Sequence, residues 1–350
     1  MTRPEPTRPF PNRSVPVRAP SDAPSDALSD ATTMTAVMAD RYGGPDVLSV
    51  GTIAVPVVPP DGVRVRVGGA ALNPADLHLL AGQPFFLRFM GFGLRRPRQR
   101  VPGSDVAGRV EAVGAQVTRF ASGDAVFANL ADVGRGAFAE RVAAPEHVWA
   151  RVPDEIDVEA AAATPMAAVT ALQGLRDEGG LRPGQHVLIN GASGGVGSFA
   201  VQIAKTLGAV VTGVTSARNV ELARSLGADR VIDHRQADFT AEGVHYDLIF
   251  DTVANRAIDD LRRALRPDGA YVTTGFLPAL AMPAFGRRRG PRMRNMMSKP
   301  SARDLATIAV WMSEGAVVPR IDRTMPLRDA AHAFRYLAEG RARGKVVLTP

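Results

Sequence analysis

The 350-residue sequence predicts an α/β protein in which a partly closed β-barrel is joined to a doubly wound parallel sheet. Three observations carry this prediction. Short β-like runs separated by glycine and proline extend to about residue 152, strands alternating with helices follow residue 153, and a glycine-rich turn stands between one such strand and its helix. The length allows two domains, each with a core of its own.

Composition narrows the class of protein. Hydrophobic residues make up 45% and charged residues 22% of the chain, which is ordinary for a globular protein, and no apolar run is long enough to span a membrane. The sequence contains no cysteine, which removes disulfides, thiol catalysis and thiolate zinc sites. A reducing compartment fits this composition, and we expect a cytoplasmic protein with no membrane partner.

Residues 1–33 are rich in Pro, Ser, Asp and Arg and contain too little apolar surface to form a core. They lack the apolar segment of a signal peptide. We interpret them as a disordered tail, or as a consequence of start-site choice with Met34 as the true beginning.

The barrel strands come first along the chain. Val63–Val67 alternates apolar and charged residues, as a half-buried strand does. Val106–Val113 and Ala125–Phe127 follow, each bounded by glycine, and close spacing of such strands favours a barrel.

The doubly wound part follows Pro153 and ends near residue 300, after which Lys345–Leu348 forms a last strand. Its predicted elements are a helix over Asp157–Leu175, a strand over His186–Asn190, a helix over Ser198–Leu207, a strand over Val210–Val214, a helix over Asn219–Leu226, and strands over Val231–Asp233, Leu248–Phe250 and Ala270–Thr273.

The glycine-rich turn lies where a nucleotide would need it, after the strand His186–Asn190 and before a helix. Glycines allow the tight turn and close backbone approach, and the helix N-terminus offers N–H groups to a pyrophosphate. A purely structural turn is the lesser alternative. The predicted cofactor contacts are Gly191, Ser193, Gly194, Gly195, Val196 and Gly197.

The next strand indicates which dinucleotide is bound. A site for NAD places an acidic residue at its end, but here the chain continues Thr215–Asn219 with no acid. Ser216 and Arg218 suit a 2′-phosphate instead, so we expect NADPH. The alternative is that Arg218 only decorates a helix start.

Net charge of +7 raises the question of nucleic acid. The excess lies in two arginine-rich clusters, at residues 88–100 and 287–299, and the second has no interleaved aromatic residues. We interpret both as solvated or phosphate-facing surfaces and consider nucleic acid unlikely. Four phenylalanines, Phe85, Phe86, Phe89 and Phe92, accompany the first cluster, where they could form a lid over a substrate.

Several segments in this order resemble the medium-chain dehydrogenase/reductase superfamily, specifically its zinc-free quinone oxidoreductase (zeta-crystallin-like) branch. The resemblance covers about residues 34–350. Its landmarks are Tyr42–Pro45, Asn73–Asp76, Pro102–Gly108, Gly123–Phe127, Gly191–Gly197 and Gly344–Leu348.

The resemblance implies a GroES-like catalytic domain (residues 34–157 and 300–350) and a Rossmann domain (residues 158–299). It implies hydride transfer from nicotinamide to a quinone or an α,β-unsaturated carbonyl compound. Asn73 and Ser104 stand where zinc-dependent relatives carry a cysteine and a histidine, so no zinc of that kind is expected.

By the same resemblance, Asn73 should line the pocket and donate to the substrate oxygen. Capping the turn before Pro74 is an equal alternative, and Asp76 should fix this loop. The remaining implied cofactor contacts are Thr164, Thr170, His234, Asn255, Thr274, Gly275 and Phe276. No tyrosine proton donor can be placed, because Tyr42 is expected in an early strand, and protonation by solvent is the default.

Two alternatives stay open. An enoyl-thioester reductase would use the basic residues 95–100 to hold a phosphate-bearing carrier. A cofactor-binding protein that interacts with RNA would show salt-dependent RNA binding without oxidising NADPH. The resemblance also implies a homodimer joined through the Rossmann sheets.

Overall fold

The computed structural model describes residues 32–89, 91–274 and 290–350. The predicted tail therefore lies outside the described residues, except for Thr32 and for Thr33, which already begins the first strand. The strands are β1 (Thr33–Ala39), β2 (Leu48–Ala54), β3 (Gly62–Ala71), β4 (Asp105–Val113), β5 (Ala125–Asn129), β6 (Arg141–Pro145), β7 (Ala150–Arg151), β8 (His186–Asn190), β9 (Val210–Thr215), β10 (Arg230–Asp233), β11 (Tyr246–Asp251), β12 (Leu265–Thr273), β13 (Arg292–Asn295), β14 (Ile321–Pro326) and β15 (Lys345–Thr349).

The α-helices lie mostly between the strands of the second half. They are α1 (Pro74–Ala81), α2 (Val158–Ala162), α3 (Pro165–Leu172), α4 (Gly195–Thr206), α5 (Val220–Ser225), α6 (Ile258–Arg263), α7 (Ala302–Ser313) and α8 (Ala330–Ala338). A 3₁₀ turn over Phe85–Phe89 follows α1.

The barrel is a sheet in the order β14-β15-β3-β4-β5-β7, with β6 also paired to β3. Strand β3 shows the predicted alternation, because Val63, Val65 and Val67 are buried while the arginines between them are partly exposed. Arg64 forms an ion pair with Glu111 on β4, with 2.9 Å between Arg64 Nε and Glu111 Oε2. This arrangement is the β-barrel part of the predicted fold class.

The second sheet is parallel throughout, in the order β10-β9-β8-β11-β12-β13. Both of its faces are covered. On β8, Val187 and Ile189 pack in one apolar cluster, with α3 and α4, while Leu188 packs in another on the opposite face. The order and the two covered faces are those of a Rossmann fold, and the predicted fold class is confirmed.

The segment predicted as one helix over Asp157–Leu175 is broken in two. Helix α2 ends before Thr164, and α3 begins at Pro165 and continues into a π-helical turn over Gln173–Glu178. Proline has no N–H for the helix ladder and disfavours helical backbone in the residue before it. The prediction of a single continuous helix was wrong for this reason.

The C-terminal strand returns to the barrel. Strand β15 pairs parallel to β14 and antiparallel to β3, so Lys345 lies close to the chain that leaves β3. The domain boundaries at residues 157 and 300 stay predictions. Among the described residues, no helix is both long and apolar enough to cross a membrane.

Candidate active site

The glycine-rich turn joins the carboxyl end of β8 to the first turn of α4. Gly191 has φ of 89°, a conformation that favours glycine. A Cβ on Gly197 would lie 2.0 Å from the carbonyl oxygen of Gly191, so only glycine permits this approach of helix to strand. These two positions explain why the strand–turn–helix unit carries this sequence.

The first turn of α4 is open for an anion. No side chain in the described part of the chain caps it, and the first helical N–H that bonds back to the turn there is that of Ser198, to Gly194 O at 2.9 Å. A Cβ built on Gly194 would meet only Gly191 O, at 3.4 Å. The N–H groups of Gly195, Val196 and Gly197 are therefore at a helix end that suits a pyrophosphate.

Ser193 supports the turn from the neighbouring strand. Its buried hydroxyl lies 2.7 Å from Thr215 Oγ1, at the end of β9, and accepts from Asn219 Nδ2 at 2.9 Å. The turn is thus tied to the end of β9, where Ser216 and Arg218 follow. Arg218 is exposed and makes no hydrogen bond or ion pair to the described part of the chain.

His234 lies beside the same strand end. It follows β10, its N–H donates to Thr215 O at 3.0 Å, and its side chain is exposed. Arg235 comes next and is also exposed, although the sequence analysis did not select it. The structure therefore brings Ser193, Ser216 and His234 to one edge of the sheet.

A polar network around the buried side chains of Asn190 and Asp251 lies at the carboxyl edge of the sheet, between β8 and β11. Asn190 Nδ2 donates to Asp251 Oδ1 at 2.9 Å and to Asn255 Oδ1 at 3.2 Å. The N–H of Thr274 donates to Asp251 O at 3.1 Å. Asn255 and Thr274 thus lie at this edge, whereas the predicted contacts Gly275 and Phe276 lie outside the described residues.

Asn73 lies at the start of α1, and its side chain is fully engaged. Its Nδ2 donates to Asp105 Oδ2 at 3.0 Å and to Ala71 O at 3.4 Å. Its Oδ1 accepts from Lys345 Nζ at 2.5 Å. Its own N–H donates to Asp76 Oδ2 at 2.9 Å, which confirms that Asp76 fixes this loop.

Lys345 was not among the site residues predicted from the sequence. Its side chain is 3% exposed, and its ammonium contacts both Asn73 Oδ1 and Asp105 Oδ2, the latter at 3.3 Å. Its Cδ lies 3.2 Å from the Cβ position of Gly195, so it packs against the start of α4. Lys345 therefore connects the glycine-rich turn to Asn73.

Asp105 is the acid of this network. It is fully buried, its Oδ1 accepts from the N–H of Met166 in α3 at 2.9 Å, and its Oδ2 accepts from Asn73 and Lys345. Burial raises the pKa of Asp105, and the ammonium of Lys345 opposes that rise. The network thus joins the barrel, α3 and the C-terminal strand.

A second ion pair, between Asp76 and Arg135, lies next to Asn73. Burial raises the pKa of Asp76 to about 6, although the guanidinium of Arg135, 3.6 Å from Asp76 Oδ1, acts in the opposite direction. Arg135 also donates to Ser104 Oγ at 2.8 Å. Asp76 Oδ1 accepts no hydrogen bond from the described residues.

The two predicted threonines face other elements. The hydroxyl of Thr164 donates to Ala160 O at 2.8 Å, within its own helical segment, and its Oγ1 lies 3.8 Å from Met312 Sδ. The hydroxyl of Thr170 donates to Ser298 Oγ at 2.7 Å. This geometry favours packing for Thr164, and a nicotinamide contact by either residue stays a prediction.

Tyr42 lies after β1 rather than in a strand, so that expectation was wrong; Gly43 and Gly44 follow it in a chain reversal. Its hydroxyl donates to the carbonyl oxygens of Phe92 and Gly93 at 2.9 and 2.6 Å. Together with Asp76 and Arg135 it lines a cavity of about 340 Å³. The loop 91–102 forms one wall of this cavity.

Comparisons with known proteins agree with this geometry. Residues 59–154 match the family model of the alcohol dehydrogenase GroES-like domain, and residues 226–348 match that of a zinc-binding dehydrogenase. The chain is 32% identical to the chloroplast envelope quinone oxidoreductase homolog of Arabidopsis thaliana, over 91% of this chain and 98% of that one. It is 33% identical to the chloroplastic NADPH-dependent alkenal/one oxidoreductase of Arabidopsis thaliana, over 91% and 80%.

Among solved structures, the quinone oxidoreductase of Coxiella burnetii superposes with a TM-score of 0.82 at 26% identity. This match covers 91% of the chain described here and 99% of the Coxiella chain.

The residues do not fit the zinc in the second family description. The sequence has no cysteine, Asn73 and Ser104 are poor zinc ligands, and the described residues contain no group of three or more potential ligands. The Lys345 ammonium adds a positive charge at this place. With its fold and its full-length similarity to these reductases, the chain belongs to the quinone oxidoreductase branch of the medium-chain dehydrogenase/reductase superfamily, whose members are nicotinamide-dependent oxidoreductases.

Proposed function

We propose that this protein is an NADPH-dependent reductase of quinones and α,β-unsaturated carbonyl compounds that works without zinc. One observation carries the proposal. A buried ammonium, that of Lys345, joins the helix-end anion site to the amide of Asn73, so a cofactor site and a polar group for a substrate oxygen lie side by side. The names of the relatives, a quinone oxidoreductase homolog and an alkenal/one oxidoreductase, support these substrate classes.

NADPH fits the residues at the end of β9 better than NADH does. An acidic residue there would bind the 2′-hydroxyl of NADH, and no acid follows β9 before α5. Ser216 and Arg218 would bind the 2′-phosphate, with His234 beside them. The first turn of α4 would hold the pyrophosphate, and Asn255 and Thr274 would lie along the path to the nicotinamide.

When bound, the cofactor supplies the hydride. Negative charge then develops on the substrate oxygen, and a donor held at that place lowers the barrier. Asn73 Nδ2 is our candidate, because its bond to Ala71 O is long, at 3.4 Å, and a substrate oxygen can replace it. The Lys345 ammonium on Oδ1 polarises the amide and strengthens its N–H donors, so Lys345 acts as a positioning residue.

Steady-state turnover tests the proposal. The purified protein is assayed for NADPH and NADH oxidation with a panel of simple quinones, enones and enoyl-CoA esters. We expect oxidation of NADPH with quinones or enones. Activity limited to thioesters would replace the proposal with the enoyl-thioester reductase, and salt-dependent RNA binding without any oxidation of NADPH would replace it with an RNA-interacting protein.

We also propose a homodimer formed through the Rossmann sheets. Strand β13 is one of the two edges of the six-stranded sheet and pairs only with β12 among the described strands. Pairing of β13 with its copy would extend the sheet across a two-fold axis. Sedimentation velocity gives the mass in solution, and a monomer at micromolar concentration would contradict this. A cytoplasmic location stays a prediction.

A further inference from the structure

An exposed aromatic surface stands beside the loop 91–102. We define the aromatic turn as the four apolar residues Phe85, Phe86, Phe89 and Leu94. They are 57%, 54%, 68% and 51% exposed, respectively. Large apolar side chains exposed singly are common, but these four lie within ten residues of the chain, and the rings of Phe85 and Phe89 are in contact, 5.5 Å apart. Such a patch on a folded protein indicates a surface that is covered when the protein acts.

The aromatic turn is held in place rather than loose. The Arg88 guanidinium donates to Gly82 O at 3.1 Å and to Ala81 O at 3.3 Å. It also lies 4.3 Å from the ring centre of Tyr42 and 5.0 Å from that of Phe85. Through these contacts Arg88 holds the 3₁₀ turn in place. The three phenylalanines of the turn each keep more than half of their surface exposed.

Basic residues follow the aromatic turn along the chain. Arg95, Arg96 and Arg98 are exposed, and none forms a hydrogen bond or ion pair through its side chain within the described ranges. Arg100 does pair with Asp40, at 2.5 Å. The sequence contains no Asp or Glu between Asp76 and Asp105, so this segment carries five arginines without an acid of its own.

We propose that the aromatic turn and its arginines dock the protein on an anionic lipid bilayer. Aromatic side chains bind at the boundary between headgroups and acyl chains, and arginines beside them bind anionic headgroups. A single strand of nucleic acid fits less well, because it needs open ring faces along a groove. Here the Arg88 guanidinium lies over one face of the Phe85 ring, 5.0 Å from its centre, and the same ring packs edge-to-face on Phe89 at 5.5 Å.

The aromatic turn lies next to a cavity, so docking would bring that cavity close to the bilayer. The loop 91–102 that carries Arg95 and Arg96 also forms one wall of the 340 Å³ cavity, which is lined by Tyr42, Leu79 and Phe92 as well. A lipophilic quinone dissolved in the bilayer could therefore enter the cavity from the membrane side. This last step rests on the proposed function, whereas docking itself does not. Docking on a bilayer departs from the expectation that the protein has no membrane partner.

Vesicle sedimentation tests docking without any turnover. The full-length protein is mixed with vesicles of phosphatidylcholine alone or with about a third phosphatidylserine. We expect the wild type to bind the anionic vesicles only. In Arg95→Gln/Arg96→Gln the affinity for these vesicles should fall about fivefold for each arginine removed. Phe86→Ser/Phe89→Ser should weaken it on the order of tenfold or more, since it removes the apolar contact. Salt should weaken the binding of the wild type.

Matched controls separate the surface from general effects. Val57→Ser removes an exposed apolar side chain, 86% exposed, and Arg182→Gln removes an exposed arginine of the Rossmann part. Neither should change vesicle binding, and all four variants should keep wild-type turnover with a water-soluble quinone. If turnover is absent in every protein while vesicle binding follows this pattern, the proposed function fails and docking stands.

Four outcomes would overturn docking. One is the absence of vesicle binding by the wild type, and another is equal loss in the control variants. A third is binding to single-stranded oligonucleotides, but not vesicles, that the phenylalanine variant abolishes. The last is a wild-type dimer that becomes a monomer in Phe86→Ser/Phe89→Ser, which would assign the aromatic turn to a self-interface.

Discussion

Replacing Lys345 by methionine tests the buried network directly. The substitution keeps the length of the side chain but removes the ammonium that contacts Asn73 Oδ1 and Asp105 Oδ2. Asp105 then keeps two donors, Asn73 Nδ2 and the N–H of Met166, and no positive partner. Removing one member of a buried ion pair typically costs about 3–5 kcal/mol, so we expect unfolding free energy to fall by that amount at neutral pH.

The pH dependence of this loss has a defined sign. Burial already raises the pKa of Asp105 above its unfolded value, and loss of the ammonium raises it further. A group with a raised folded-state pKa contributes stability that is present in acid and lost as pH rises through that pKa. The deficit of Lys345→Met relative to wild type should therefore shrink as the pH is lowered.

Urea unfolding followed by fluorescence of the buried Trp149 measures the loss. The double variant Lys345→Met/Asp105→Asn carries no uncompensated charge and should recover more than half of the stability. Its turnover should stay low, because the Asn73 amide lacks its polarising partner, while affinity for NADPH changes little. Wild-type stability of the single variant at neutral pH, or a deficit that grows in acid, would refute this reasoning.

Three further predictions concern other parts of the site. Arg218→Ala should weaken NADPH about 10- to 100-fold and leave NADH unchanged, as measured by fluorescence titration, since a charge-assisted hydrogen bond is worth about 1.5–3 kcal/mol. Asp76→Asn should remove a pH dependence: with the pKa of Asp76 raised from 3.8 to about 6, wild type should lose ~3 kcal/mol relative to the variant between acidic and neutral pH, measured by urea unfolding. Gly197→Ala should cost about 2–3 kcal/mol because its Cβ meets Gly191 O at 2.0 Å, whereas Gly194→Ala should fold normally and bind NADPH less tightly.

Each of these predictions has an outcome that contradicts it. Equal loss of NADH and NADPH binding in Arg218→Ala would mean a structural role. An unchanged pH profile in Asp76→Asn would place that pKa near its ordinary value. Equal melting temperatures of the two glycine variants would show that Gly197 tolerates a side chain.

The sequence predicted the fold because strands, helices and turns are specified by residues that are near one another in the chain. The strand His186–Asn190 was predicted with the bounds that it has, and the turn that follows lies between strand and helix as expected. The helix break before Pro165 follows from the proline itself, whereas the alanine-rich sequence around it favours a continuous helix.

Lys345 could not be found in the same way. In the sequence it is one charged residue at the start of a β-like run, where exposure is the ordinary expectation. Its burial depends on Asn73 and Asp105, which are 272 and 240 positions away. Tertiary contacts of this separation have no periodicity that a sequence pattern could show.

This separation ties the site to the order in which the molecule is assembled. The Rossmann part lies within the barrel's own chain, between β7 and β14, so strand β15 can pair with β3 only after everything between them has been made. Contacts between distant positions form late and slowly in folding. We therefore expect the ammonium of Lys345 to reach Asn73 late in folding. In a refolding experiment, activity should therefore return after the secondary structure and report the closing of the barrel.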